Sequence, residues 1–114
     1  MARYRGLTLR VMGKRAPAMG PGKAELIERI AEAGSISAAA RAMGMSYRRA
    51  WQLVEALNRD YRSRVVDTAT GGRRGGGARV TPFGRRILAL FRGMEKKASA
   101  AIAGDLRRFR RYIP

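Results

Sequence analysis

Arg48, Arg49 and Gln52 lie close together in the chain and carry side chains suited to reading the edges of base pairs. A guanidinium fork matches the adjacent O6 and N7 acceptors of guanine, and a carboxamide matches N6 and N7 of adenine. That chemistry needs the three groups on the first exposed turns of a helix. Ser46, a residue type that caps helix N-termini, stands just ahead of them, and Tyr47 adds a hydroxyl that can reach a phosphate. Further on, Thr70 to Gly77 reads TGGRRGGG. Glycines there let Arg73 and Arg74 approach a nucleic-acid backbone or enter a minor groove, with Thr70, the loop amides and Arg79 adding phosphate contacts.

Other chemistries are poorly supplied. The 114 residues contain no Cys and no His, which removes disulfides, thiolate or imidazole metal ligands, and Ser-His catalysis. The eight acidic residues are scattered without the pairing that general acid/base work requires. Glu25, Glu28 and Glu32 share a helix face, and solvated surface is the favoured reading. The glycine-rich run lacks a Gly-Lys-Ser/Thr ending and sits between strand-like segments, so a nucleotide cradle is disfavoured. No catalytic residue, metal site, cofactor or small-molecule ligand is expected. Against those eight carboxylates stand 25 Lys and Arg, a formal charge of +17. A surface that repels itself this strongly calls for an anionic partner. The excess is uneven: residues 1–45 carry 8 basic and 3 acidic residues, residues 46–114 carry 17 and 5. There is neither a continuous apolar run of membrane-spanning length nor a signal-peptide pattern, so a cytoplasmic, nucleoid-associated protein without membrane attachment is expected.

The elements that must position these groups are readable from local signals. Leu7, Leu9 and Val11 alternate and suggest a short strand with one buried face, and Gly13 to Gly22 reads as a loop. From Lys23 to Ala33, Leu26, Ile27 and Ile30 recur at helical spacing between Pro21 and Gly34. This helix is almost alone in not being basic, which turns it away from any polyanion. A short helix follows, with Ser37 as the expected N-cap and Ala39, Ala40 and Met43 as its stripe. Gly44 ends it and Ser46 starts the next, which is a helix-turn-helix. The helix from Ser46 to Tyr61 places Tyr47, Ala50, Trp51, Val54, Leu57 and Tyr61 on one face, so Trp51 is expected in the core and Tyr47 partly so. Two β-rich segments, Arg64–Ala69 and Ala78–Thr81, flank the glycine run as a hairpin. Thr81-Pro82 opens a long helix striped by Phe83, Ile87, Leu88, Phe91, Met94, Ala98 and Ile102, broken at Gly104-Asp105. The result is a mainly α chain with a small β-hairpin wing, a winged helix-turn-helix. Residues 1–103 form the domain, including a long dimerisation helix, and 104–114 form a basic tail.

Several stretches closely resemble one family. They are Gly20-Pro21-Gly22-Lys23, Gly34-Ser35-Ile36-Ser37-x-Ala39-Ala40, and Gly44-Met45-Ser46-Tyr47-Arg48-Arg49-Ala50-Trp51. Gly71-Gly72, Gly75-Gly76-Gly77-Ala78 and Val80-Thr81-x-x-Gly84 complete the set. Together, from about Leu7 to Met94, they resemble the N-terminal DNA-binding domain of the molybdate-responsive ModE regulators and, more distantly, the LysR-type winged helix. The resemblance implies a dimeric transcription regulator whose recognition helix enters the major groove of a palindromic site while the wing touches the flank. Carried over, the base-reading residues are Arg48, Arg49 and Gln52, and the backbone and wing residues are Ser46, Tyr47, Arg73, Arg74 and Arg79. The family's molybdate-binding segment has no counterpart in the sequence, so the resemblance implies no effector.

Competing classes remain. The charge suits a non-specific architectural protein coating the chromosome, and an RNA-binding module is a third reading, weakened by the scarcity of aromatic platforms. The final cluster of Arg107, Arg108, Arg110 and Arg111 fits a phosphate-binding tail, a lipid-surface helix or the solvated end of a dimer helix. The preferred partners are double-stranded DNA and a second copy of the chain, because one short domain cannot cover the whole apolar stripe of the long helix.

Overall fold

The structure is a computed structural model and describes residues 6–69 and 77–114. Strand β1 (Val11–Met12) turns back into β2 (Pro17–Met19), an antiparallel pair closed by the Gly13 amide donating to the Ala16 carbonyl at 2.8 Å. The segment read as a loop therefore contains a strand. Alternation of Leu7, Leu9 and Val11 does not mark a buried face either: Leu7 and Val11 are exposed, and only Leu9 leans on the core. The hairpin is held by its far side, where Met19 is buried and the Ala18 carbonyl accepts from the Tyr61 hydroxyl at 2.9 Å.

Helix α1 (Pro21–Ala33) begins with proline and stops at Gly34, whose φ of 72° is the left-handed conformation that closes a helix without a side-chain clash. Helix α2 (Ile36–Met43) is capped by Ser35, whose Oγ accepts from the Ala38 amide at 3.1 Å. The expected cap, Ser37, lies inside the helix. Gly34 delivers the chain straight into an extended Ser35, so the earlier serine reaches the free amides first and Ile36 is buried. Gly44, again left-handed at φ 67°, ends α2. Ser46 then caps α3 (Tyr47–Asp60) by accepting from the Arg49 amide at 3.0 Å. Alanines 24, 39, 40 and 50 are almost solvent-free and let these three helices approach closely.

Beyond α3, strands β3 (Val66–Thr68) and β4 (Ala78–Val80) pair antiparallel with Val66 opposite Val80 and Asp67 opposite Arg79. The Ala78 amide donates to the Gly34 carbonyl at 2.9 Å, tying this wing to the α1–α2 corner. Asn58 ties it to α3. Its Oδ1 accepts from the Val65 and Val66 amides at 2.8 and 3.0 Å, and its Nδ2 donates to the Val66 carbonyl at 3.0 Å. Both valines are fully buried, so Asn58→Ala strands two amides away from water. A loss of about 2–3 kcal/mol is expected in urea unfolding. An unchanged midpoint would show that the amides find other partners.

Thr81 accepts from the Gly84 amide at 2.9 Å and opens α4 (Pro82–Ala101), which is followed by α5 (Ala103–Arg110). The break falls at Ile102, and Gly104 and Asp105 are helical. Phe91 is buried, with Phe83, Ile87 and Leu88 packed on the core around it. Glu28 of α1 and Glu95 both accept from Arg92, at 2.6 and 2.7 Å. The hydrogen bond to Glu28 raises the Arg92 pKa well above its ordinary value. Part of the acidic face of α1 is thus a clamp on α4. The molecule measures 54 × 30 × 25 Å, elongated because a 20-residue helix is about 30 Å long and outruns the core.

Candidate nucleic-acid interface

Helix α3 is anchored by Ala50, Val54 and Leu57, all fully buried. Residues displaced half a turn from that line must face outward. Arg48, Gln52, Glu55 and Arg59 occupy the outward face, and all four are exposed. The Ser46 cap fixes the start of the helix, so Arg48 and Arg49 stand on its first turn and Gln52 on the next. The helix thus brings Ser46, Tyr47, Arg48, Arg49 and Gln52 to one exposed N-terminal end.

The outward face has two different flanks. On one side Arg49, Gln52, Leu53 and Ala56 line an open groove of about 480 Å³, with Arg10, Lys23 and the Pro17 region forming its far wall. The Lys23 ammonium donates to the Pro17 carbonyl at 2.7 Å. Burial lowers its pKa from the ordinary lysine value; Asp60 opposes this, while Arg59 and Arg49 add to it. Arg10 and Lys23 were missed by sequence reasoning. They sit in segments taken as strand and helix start, and only the packing of the β1–β2 hairpin and the start of α1 beside α3 brings them to the groove.

On the other side stand Tyr47 and Trp51, one helical turn apart. Their ring centroids are 6.2 Å apart with planes at 79°, an edge-on pair. Tyr47 is 52% exposed, against the expectation of partial burial. Trp51 is half-buried: it packs on the core yet keeps an open side. The apolar spacing was read correctly, but Tyr47 is on the first turn, where no further helix among the described residues is stacked to cover it.

Arg79 is exposed on β4, opposite Asp67. Arg73 and Arg74 lie outside the described residues. Arg107, Arg108, Arg110 and Arg111 project from α5 and its end, all exposed, beside exposed Phe109 and Ile113. Among the described residues no group of His, Cys, Asp or Glu is arranged to hold a metal ion, and no helix is long and apolar enough to cross a membrane.

Three comparisons bear on this arrangement. Residues 22–85 match the family model described as bacterial regulatory helix-turn-helix protein, lysR family. The chain is 43% identical over 91 residues to the molybdenum-pterin-binding protein MopB of Rhodobacter capsulatus, covering 80% of this chain and 33% of that one. It is 39% identical over 71 residues to the DNA-binding transcriptional dual regulator ModE of Escherichia coli K12, covering 62% of this chain and 27% of that one. The chain therefore spans about a third or less of these curated relatives. In three dimensions it is similar to a chain of the crystal structure of a CbnR_DBD-DNA complex. The TM-score is 0.56 at 24% identity, over 76% of this chain and 92% of that one. That similarity shows the winged-helix fold.

Proposed function

Because the chain belongs to the LysR family of bacterial regulatory helix-turn-helix proteins, we propose that it is a transcriptional regulator that recognises double-stranded DNA by sequence, as a homodimer. The observation that carries this reading is the outward face of α3, where a capped, core-anchored helix offers Arg48 and Gln52 to solvent with no element among the described residues covering them. In this reading Arg48, Arg49 and Gln52 read bases in the major groove, Ser46 and Tyr47 stand at the phosphates beside them, and Arg73, Arg74 and Arg79 hold the flanking backbone. The work is binding and no catalytic step belongs to it.

Dimerisation is supported by α4. Leu90 and Met94 are 59% and 43% exposed on the face of α4 turned away from the core, around a shallow groove floored by Ala89 and Gly93. Two copies pairing through this face cover it and set two reading helices on one duplex, with half-sites about one helical turn apart. Leu90→Glu is expected to convert a dimer to a monomer in sedimentation at micromolar concentration while leaving the fold intact. A wild-type chain that is already monomeric there contradicts the dimer.

The deciding experiment is selection of genomic DNA fragments by the purified protein near physiological salt, followed by sequencing. A sharp two-fold symmetric motif supports a sequence-specific regulator. Even coverage favours the second reading, a non-specific chromosome-coating protein, which the +17 charge favours. Arg79→Ala separates backbone from base contacts: it should lower the magnitude of the log K against log salt slope by about 1 and weaken all sequences alike. A loss confined to one base position would move Arg79 to the base-reading group.

A further inference from the structure

The exposed N-terminal end of α3 is not polar throughout: beside Arg48, Arg49 and Gln52 it carries an exposed Tyr47 and a half-buried Trp51. Tyr47 and Trp51 form a ridge of two edge-on rings beside the Arg48–Gln52 line. Trp51 is wedged against the core and fixed from behind, and Tyr47 rests on it while remaining 52% exposed. No hydrogen bond to the Tyr47 hydroxyl is made among the described residues. A rigid apolar ridge in such a place has one obvious partner on a duplex. In the major groove the C5-methyl of thymine is the only apolar group that a base pair displays. Side chains one position over from a pair of polar readers meet the neighbouring base pair.

We infer that the Tyr47–Trp51 ring pair is a specificity-determining surface that packs on a thymine C5-methyl next to the bases addressed by Arg48 and Gln52. This rests on the DNA-binding reading above, adds a further base type to it, and moves Tyr47 from the phosphate contacts named there to the base-reading surface. Trp51 supplies the fixed back of the surface and Tyr47 the face that touches the methyl. The tyrosine hydroxyl is not required for this contact.

The test uses the full chain and the duplex that genomic selection yields. Each thymine is replaced in turn by deoxyuridine, which removes the methyl and leaves every hydrogen-bonding group in place. One thymine per half-site is expected to lose about four-fold in affinity, the size of one buried methyl. In Tyr47→Ala, an exposed position at which folding is preserved, that dependence should vanish, the thymine and deoxyuridine duplexes then binding equally. Tyr47→Phe should keep it. Uniform weakening of all duplexes by Tyr47→Phe, with no methyl dependence in the wild type, overturns the inference and makes Tyr47 a phosphate contact. A selected site without a methyl-dependent thymine also overturns it, as does unchanged dependence in Tyr47→Ala. A wild type that selects no motif, or binds no duplex, removes the DNA-reading proposal itself, an outcome distinct from a motif that ignores the methyl.

Discussion

Gly84→Ala is expected to lower the melting temperature by about 10 °C or more. Position 84 lies in the first turn of α4, where the helix crosses the strand leading into the wing. A Cβ built there falls 2.4 Å from the Val65 carbonyl oxygen, with methyl groups of Val80 and Val65 at 3.0 and 3.1 Å. The nearest obstacle is backbone, held in place by the Thr81 amide and the Asn58 side chain, and cannot rotate away. Overpacking of this kind costs about 1–3 kcal/mol and more when nothing yields. Alanine regains at most about 1 kcal/mol over glycine through helix propensity, so a net loss of about 2 kcal/mol remains. For a domain near this size that corresponds to roughly 10 °C. Gly93 provides the control: it is in the same helix with nothing within 4 Å of its Cβ position. In the monomeric Leu90→Glu background, where the proposed pairing of copies does not enter, Gly93→Ala should be neutral or stabilising by up to about 1 kcal/mol. Thermal melts followed by circular dichroism distinguish the two. Equal behaviour of both variants would mean that α4 does not approach Val65, just ahead of β3, as closely as the structure places it.

Arg48→Ala should act on recognition and leave stability alone. The side chain is exposed on the first turn of α3, makes no contact that supports the core, and occupies a position where alanine is a better helix former. The melting temperature should therefore move little. Affinity for the selected duplex should fall by about ten- to a hundred-fold, the 1–3 kcal/mol of one bidentate base contact. Competition with duplexes varied at every position should show preference relaxed at one base pair per half-site, a signature that loss of a phosphate contact does not produce. Equal weakening on every duplex would reassign Arg48 to the backbone. Arg49→Ala sharpens the comparison, because Arg49 lines the groove with Lys23 and Arg10, whereas Arg48 stands on the outward face. A uniform loss in Arg49→Ala beside a base-specific loss in Arg48→Ala would show that the two neighbouring arginines divide the work.

Much of this molecule was determined by the sequence alone, because its signals are local. Glycines 34 and 44 stop helices where only a left-handed residue fits, Ser46 and Thr81 start them, and the spacing of Ala50, Val54 and Leu57 fixes which side of α3 faces inward. Each of these depends on a few consecutive residues, and the order of the elements then leaves the winged helix-turn-helix as the fitting fold. Arg48 and Gln52 were readable for the same reason, since a helix with a known inner face has a known outer one. Tertiary structure decided what local signals leave degenerate. Two serines stand at the start of α2, and the turn at Gly34, itself bonded to the wing through Ala78, selects Ser35 over Ser37. Pro17 to Met19 carries no strand signal of its own and becomes one by pairing with β1 and packing under Tyr61. Glu28 is a surface carboxylate in sequence and a clamp in space, because Arg92 arrives from 64 residues away. Whether Tyr47 is buried depends on whether another element reaches it, and none among the described residues does. Contacts between distant segments are set by how helices and hairpins stack, and it is that stacking, rather than any local pattern, that left an aromatic expected to be partly buried exposed beside Arg48.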